Sequence, residues 1–436
     1  MQVQLDFGRS GLTVALPVWA DAVLLETKRN PAVANPSTAV VDALSAPIGT
    51  PPLAVLARGK RRAVVVVSDK TRPVPYRVLL PPLLRTLRDA GLPAEQVEIL
   101  VATGLHRANT LAELEEMLGA DVVRTYPVRN HVARDDDAHE YLGTTSRGTE
   151  IWIDRGYLRA DLRILTGLIE PHLMAGFSGG RKALCPGLAG VRTMRSAHGP
   201  TMLEGHVGPG ILQGNPFHED LLEIVARVGA DFLCDVTIDR TRRMTGVYAG
   251  DVVQAHLAGA EALEQQVLVT LPESVDVVLT SAGGYPLDQT LYQAIKGLVA
   301  ALNIVRPGGA IVLVAELSEG AGSAEFVRLL LSASSPDAFM EQLLQPGFFQ
   351  VDQWMVQHLC QVLRKASVWI VSHHKVVEFP DGFAIRWAAS AETALAEIKE
   401  RFPQARSVAV IPEGPYTLPT VRGVKMPLGT AWKQAA

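Results

Sequence analysis

Short β-branched runs recur along the chain, each followed by a polar or glycine-rich turn and then by apolar residues at helical spacing. Ala63 to Ser68 (AVVVVS) leads through DKTRPVP into YRVLLPPLLRTLRDAG, and Gln96 to Gly104 (QVEILVATG) leads into LHRANTLAELEEMLG. Each pair reads as a βα unit, because apolar runs of strand length alternate with period-3.6 segments. Leu162 to Gly167 (LRILTG) enters a glycine-rich segment, and Asp231 to Asp239 (DFLCDVTID) follows in the same half. The rhythm restarts at Leu271 to Gly284 (LPESVDVVLTSAGG) and continues through Gly309 to Leu317, Ser367 to Ser372 and Ser407 to Gly414. The pattern predicts an α/β protein of two Rossmann-like domains, residues 1–268 and 273–415, with a tail, 416–436, that either frays or packs back on the first domain. Chemistry in such sheets collects beyond the carboxyl ends of the strands, where helix N-termini direct free N–H groups outward. The expected active site is an interdomain cleft.

At 436 residues the chain exceeds what one hydrophobic core usually supports. With 48% apolar and 20% charged residues it has the balance of a soluble globular protein. A formal charge of −4 argues against nucleic acid as partner, since that binding is driven by phosphate neutralisation, and favours a small molecule. Cys185, Cys234 and Cys360 lie far apart without a CxxC pair, which predicts a reducing compartment. Neither a signal-peptide core nor a bilayer-length apolar span is visible, so the expected location is the cytoplasm, with no membrane partner.

The densest chemistry lies in GLIEPHLMAGFSGGRKALCPGLAG, Gly167 to Gly190. A Walker A loop is excluded, because Arg181 stands where its second glycine belongs and Ala183 follows Lys182 in place of a magnesium-binding hydroxyl. GPGILQG, Gly208 to Gly214, carries its third glycine one place late for a dinucleotide fingerprint and has no strand before it. Ser178, Gly179 and Gly180 are small enough for backbone N–H groups to approach an anion such as a mononucleotide phosphate, with Arg181 and Lys182 adding positive charge. The plainer alternative is a glycine turn with solvated basic side chains.

Strand-end segments carry the other reactive groups: SDKTRP (Ser68 to Pro73), TGLHR (Thr103 to Arg107), EPH (Glu170 to His172) and RSAHG (Arg195 to Gly199). A lone histidine is commonly a hydrogen-bonded structural residue, but three after separate strands can converge on one cleft. Two of them would then serve as base and acid near neutral pH while a third binds metal. Zinc-type spacing is absent, so a metal here would take most of its ligands from an organic cofactor, and a lysine beside a phosphate cradle would suit a covalent tether. In the second half, SAGGYPLDQTLYQAIKG brings Tyr292, Gln293 and Lys296 to one helix start, where an amide and an ammonium can bind a carboxylate or simply face solvent. Trp354 and His358, one helical turn apart, read as a packing face.

Taken in order, SDKTRP, TGLHR, GLIEPHLMAGFSGGRK...PG, RSAHG and GGYPLDQTLYQAIKG resemble the nickel-dependent lactate racemase family, from about Asp69 to Lys296. The resemblance implies a racemase or epimerase acting on a 2-hydroxy acid. It also implies a nickel-pincer nucleotide (pyridinium-3-thioamide-5-thiocarboxylic acid mononucleotide with Ni), absent when the cofactor-biosynthesis proteins that load it are absent. It makes Lys182 the cofactor attachment point, His198 the nickel ligand, and His106 and His172 the acid/base pair. Arg72 and Lys296 become substrate-carboxylate binders, with Tyr292 and Gln293 lining the same region. Asp69 is expected to orient Arg72 or to contact the cofactor. In that family the α-hydrogen leaves as hydride to the cofactor, giving a planar 2-keto acid, and returns on the other face. Two other readings remain at this point: a dehydrogenase using a diffusible nicotinamide, which lacks its fingerprint, and a non-catalytic carrier of the nickel cofactor or hydroxy acid.

Overall fold

A computed structural model describes residues 1–28, 30–199, 206–345 and 347–422. The predicted tail therefore lies outside the described residues from 423 onward. The chain divides into two compact α/β units, one formed by Arg29–His198 with Ile211–Gln266, the other by Met1–Lys28, Gly199–Gly210 and Val267–Ala436.

In the first unit six strands form one sheet in the order Met244–Gly250, Phe232–Ile238, Leu162–Leu168, Ala63–Ser68, Val97–Ala102, Val128–Asn130. All neighbours are parallel except the Met244–Gly250 edge, which is antiparallel. Val64, Val65, Val66 and Val67 are at most 1% exposed, because helices cover the sheet, and this is why the strand reads as an unbroken apolar run. The helix Tyr76–Asp89 buries Leu79, Leu80, Leu83, Leu84 and Leu87, each contributing about 2 kcal/mol of apolar transfer. The helix Leu111–Leu118 starts at a capping box between Thr110 and Glu113. The helix Pro216–Val228 is started by Asn215, whose side chain accepts from the N–H groups of Phe217 and His218.

The central strands being parallel, Ser68, Ala102 and Leu168 end on the same edge of the sheet. The segments that follow them, beginning at Asp69, Thr103 and Ile169, are thereby delivered to one place.

The second unit holds a fully parallel six-stranded sheet, Ile385–Ala388, Ala366–Val371, Val305–Val314, Val275–Ser281, Ser407–Ile411, Asp21–Leu24. Its last strand comes from the chain's first residues, Asp21 standing opposite Ser407. Residues 1–28 thus group with the later part of the chain, where periodicity had assigned them to the first domain. The reason is backbone pairing between segments that carry no local sign of each other. Leu418–Val421 pairs in parallel with Leu268–Leu271, so this part of the tail stays in the second unit too. Among the described residues no helix is long and apolar enough to cross a membrane, and Cys185, Cys234 and Cys360 are buried free thiols.

Candidate active site

Asp69, the first residue after its strand, is 4% exposed. One carboxylate oxygen, Oδ1, accepts from the Thr71 N–H and, at 2.6 Å, from the Thr71 hydroxyl. The other, Oδ2, lies 2.6 Å from Nδ1 of His106, which follows the neighbouring strand. Burial pushes the Asp69 pKa upward, but His106, Thr71 and Arg72 together outweigh it and hold the carboxyl below its ordinary range. Asp69 is therefore ionised at neutral pH and accepts a hydrogen bond from Nδ1–H of His106, which leaves the ring's lone pair on Nε2. Sequence reasoning gave Asp69 to Arg72 or to the cofactor; its hydrogen bonds go to His106 and Thr71. Arg72 instead pairs through Nε with Glu170, at 3.3 Å.

His172 sits in a small hairpin, Pro171–His172 against Gly176–Phe177. The reversal needs Gly176, at φ +74°, because a Cβ there would lie 2.3 Å from the Ile211 carbonyl oxygen. Within this turn Nδ1 of His172 accepts from the backbone N–H groups of Met174 and Ala175, both at 3.1 Å.

The glycine run behaves differently from an open phosphate cradle. Ser178 donates its N–H to the Glu170 carbonyl and its hydroxyl to the Leu168 carbonyl, and Gly180 donates its N–H to Oδ2 of Asp235 at 2.7 Å. Gly179, at φ +77°, is held to glycine because a Cβ would stand 2.4 Å from that same oxygen, and a Cβ on Gly180 would press on the His256 ring at 2.7 Å. The glycines thus admit a buried carboxylate and an imidazole of the same unit. Asp235, fully buried, has its pKa raised to about 7 by that burial. Arg181, 1% exposed, donates to the Ala175 carbonyl and approaches Nε2 of His256 at 2.7 Å, so its guanidinium is spent within the core.

Lys182 follows in a short 3-10 turn, Gly180–Ala183. Dense surroundings depress its pKa to about 7, with the nearby Arg181 and Arg72 cations adding to the effect and Cys185 and Glu170 opposing it. Its Nζ lies 5.6 Å from the ring centre of Phe217. His198 ends the helix Val191–Ala197, is 5% exposed, and sets its ring edge-on against the same Phe217, with centroids 5.1 Å apart. Lys182 and His198 are thereby brought to one aromatic side chain. A linked set runs from His106 through Asp69, Arg72 and Glu170 to Lys182, Phe217 and His198, all in the first unit.

In the second unit Tyr292, Gln293 and Lys296 lie on the helix Leu291–Ala301, whose cap Thr290 accepts from the Gln293 N–H. Gln293 is 9% exposed, and its Oε1 is buried without a hydrogen-bond partner among the described residues. Tyr292 packs edge-on against Phe326 and accepts from Nε1 of Trp354 at 3.0 Å, so the Trp354 packing face carries a hydrogen bond as well.

Sequence reasoning missed Phe217, Asp235 and His256. Phe217 reads as an ordinary core aromatic in an amphipathic helix, and only the asparagine-proline start at Asn215 marked that helix locally. Asp235 had one visible signal, a carboxylate inside the apolar run DFLCDVTID. Among the described residues no three His, Cys, Asp or Glu side chains gather to hold a metal ion. A buried imidazole and a pKa-depressed amine against one aromatic ring are chemically compatible with a metal that takes most of its ligands from an organic group.

Residues 7–208 match the family model described as the lactate racemase N-terminal domain, and residues 271–417 the lactate racemase C-terminal domain. A lactate racemase of Thermoanaerobacterium thermosaccharolyticum is 34% identical over 417 residues, spanning 94% of this chain and 97% of that protein. One of Lactiplantibacillus plantarum is 34% identical over 379 residues, spanning 86% and 89%. Among solved structures, the lactate racemase apoprotein of T. thermosaccharolyticum superposes with a TM-score of 0.88 at 33% identity, covering 96% of this chain and all, 100%, of that one. A crystal structure of a Thermotoga maritima protein, at 19% identity and TM-score 0.68 over 89% of this chain and 99% of that one, shares the fold.

Proposed function

The chain belongs to the lactate racemase family, a family of isomerases, and from that premise we propose that it inverts C2 of a 2-hydroxy acid, lactate or a larger analogue, through a planar 2-keto acid. The observation that carries this reading is the meeting of Lys182 and His198 on Phe217, in the unit where Asp69 holds His106. When bound, a nickel-pincer nucleotide supplies a hydride acceptor and donor; Lys182 would hold it covalently and His198 would complete the coordination of its nickel.

The rest falls to the chain's own side chains. A depressed pKa keeps the Lys182 amine unprotonated enough to form its bond near neutral pH. His106 and His172 serve as the acid/base pair, one taking the hydroxyl proton of each enantiomer, and the Asp69 carboxylate stabilises the imidazolium of His106. Glu170 engages Arg72 through Nε, and a substrate carboxylate would take the terminal Nη pair as a planar fork. Tyr292, Gln293 and Lys296 are assigned to the substrate by resemblance, supported by the buried Oε1 of Gln293. Loading depends on cofactor-biosynthesis proteins.

The test is to produce the protein with the cofactor-making enzymes, verify loading by intact mass and nickel content, and incubate it with single enantiomers of a 2-hydroxy-acid panel. Chiral analysis should show approach to a racemic mixture or an epimeric equilibrium for at least one member. Retention of every starting configuration by fully loaded protein refutes the proposal.

A further inference from the structure

A pair of imidazoles outside the assigned site is buried and unused by the chemistry above. His131 and His139 are each 1% exposed, and their Nε2 atoms meet at 2.9 Å with the rings edge to face. Nδ1 of His139 lies 2.7 Å from the Asp135 carbonyl, which only accepts. The proton of the neutral His139 ring is therefore on Nδ1, and its Nε2 accepts from Nε2–H of His131. Both residues are attached to segments that carry site residues. The Thr103 hydroxyl donates to the His131 carbonyl at 2.7 Å and lies 3.3 Å from Nδ1 of its ring, while the Thr103 carbonyl accepts from the His106 N–H. On the other side, a Cβ on Gly190 would stand 3.3 Å from the His139 ring. That ring thus lies against the N-cap of the helix Val191–Ala197, which ends at His198.

We propose that the His131–His139 pair is an acid-released latch: while both rings are neutral it joins the turn carrying His106 to the start of the helix leading to His198, and uptake of a proton from solution releases both segments. The pair stays closed only without added charge. One further proton makes a buried cation, and among the described residues neither ring meets a carboxylate. A second would set N–H against N–H at the 2.9 Å contact. The charged groups around the pair are already engaged: Arg129 with Asp154 and Glu98, Arg192 with Asp136, and His106 with Asp69. Arg155 donates to the His139 carbonyl, and the Asp135 carboxylate accepts from the Asp137 N–H. Burial is the main cause that brings the His131 pKa down to about 3; Asp154 opposes it, and His139 and Arg129 add to it. An opened, hydrated ring titrates near 6.5, so between those values the open form binds the extra proton and gains population as the pH falls. Histidine clusters act as acid switches in this way. The consequence for catalysis rests on the racemase reading above; the opening itself does not.

Hydrogen exchange on protein without cofactor tests the latch, with peptides covering residues 103–107 and 190–198 and rates corrected for their intrinsic pH dependence. One proton bound on opening should raise exchange in both segments by about 25-fold between pH 7 and pH 5, and protection should return at pH 7. The rise should be insensitive to low concentrations of urea, because a local opening exposes little surface. The double variant His131→Gln with His139→Gln carries amides that can still hydrogen-bond to each other but titrate at neither pH, and it should lose the rise. No rise in the wild type, a rise with the urea dependence of whole-protein unfolding, or the same rise in the double variant overturns the proposal. The wild-type profile and its urea dependence decide the matter by themselves if the double variant does not fold. In loaded enzyme the release should appear as a reversible fall in racemisation below about pH 6.5 that is steeper than in the double variant; equal profiles overturn the link to catalysis. Failure of the loaded wild-type protein to invert any substrate would sink the racemase reading and leave the exchange result standing.

Discussion

The Lys182 amine should titrate near neutrality, and this separates a tether from an ordinary buried lysine. With a pKa of about 7, half of it is free amine at pH 7, against roughly one part in 2,500 for a lysine at its usual value of about 10.4. That is a gain of about a thousandfold in reactive form. Lower basicity costs intrinsic nucleophilicity, and with a Brønsted coefficient of about 0.4–0.5, as for thiolates, the net advantage falls to roughly 30-fold. The assay is competitive acetylation with a substoichiometric activated ester across pH 5.5 to 9, each lysine being followed by peptide mass spectrometry. Partial burial scales the Lys182 rate down but leaves its inflection in place. The expected profile bends near pH 7 for Lys182, where an amine at the usual lysine value of about 10.4 would keep rising through pH 9. Because the Arg72 cation is one cause of the depression, Arg72→Gln should move the inflection upward. A Lys182 profile without an inflection below pH 9 would refute the reasoning, and with it the picture of an amine kept ready for covalent attachment.

Asp69→Asn should preserve the fold while cutting racemisation by about 10²- to 10⁴-fold, since an amide neither enforces the Nδ1–H tautomer of His106 nor stabilises its imidazolium; chiral chromatography of loaded enzyme checks it. Lys182→Ala should give no mass increase on co-production with the cofactor-making enzymes, whereas His106→Ala should carry the full increase and no activity. His131, 1% exposed, has its pKa lowered to about 3 by burial, and its Nε2 meets Nε2 of His139 at 2.9 Å. The unfolded ring titrates near 6.5, so between those values the unfolded state binds the extra proton and stability falls as the pH drops. The loss should reach about 2 kcal/mol at pH 5. Urea midpoints at pH 7 and pH 5 should converge in His131→Gln relative to the wild type; an unchanged difference would contradict the assignment.

The structure also alters what several sequence features mean. Gly179 and Gly180 stood out as a phosphate cradle because glycine beside basic residues is locally suggestive, yet the atoms that demand those glycines belong to Asp235 and His256. The Gly180–Asp235 hydrogen bond joins residues 55 apart, a distance over which no spacing rule operates. Asp69 and His106 were each visible at the end of a βα unit, but their contact depends on two parallel strands being neighbours in the sheet. Phe217 gave no sign at all, since a buried aromatic in an amphipathic helix looks the same whether it fills a core or supports an amine and an imidazole.

By itself the sequence determined the βα rhythm, the two-sheet α/β class and the positions of the reactive groups after their strands. Those are local matters: an apolar run or a turn residue reports the surroundings of its own few neighbours. Only the tertiary structure decided that Asp21–Leu24 completes the sheet beside Ser407–Ile411, that Lys182 and His198 share one ring, and that His106 meets the Asp69 carboxylate. Each depends on which chain-distant atoms are packed against a group, and no local pattern of residues reports those atoms.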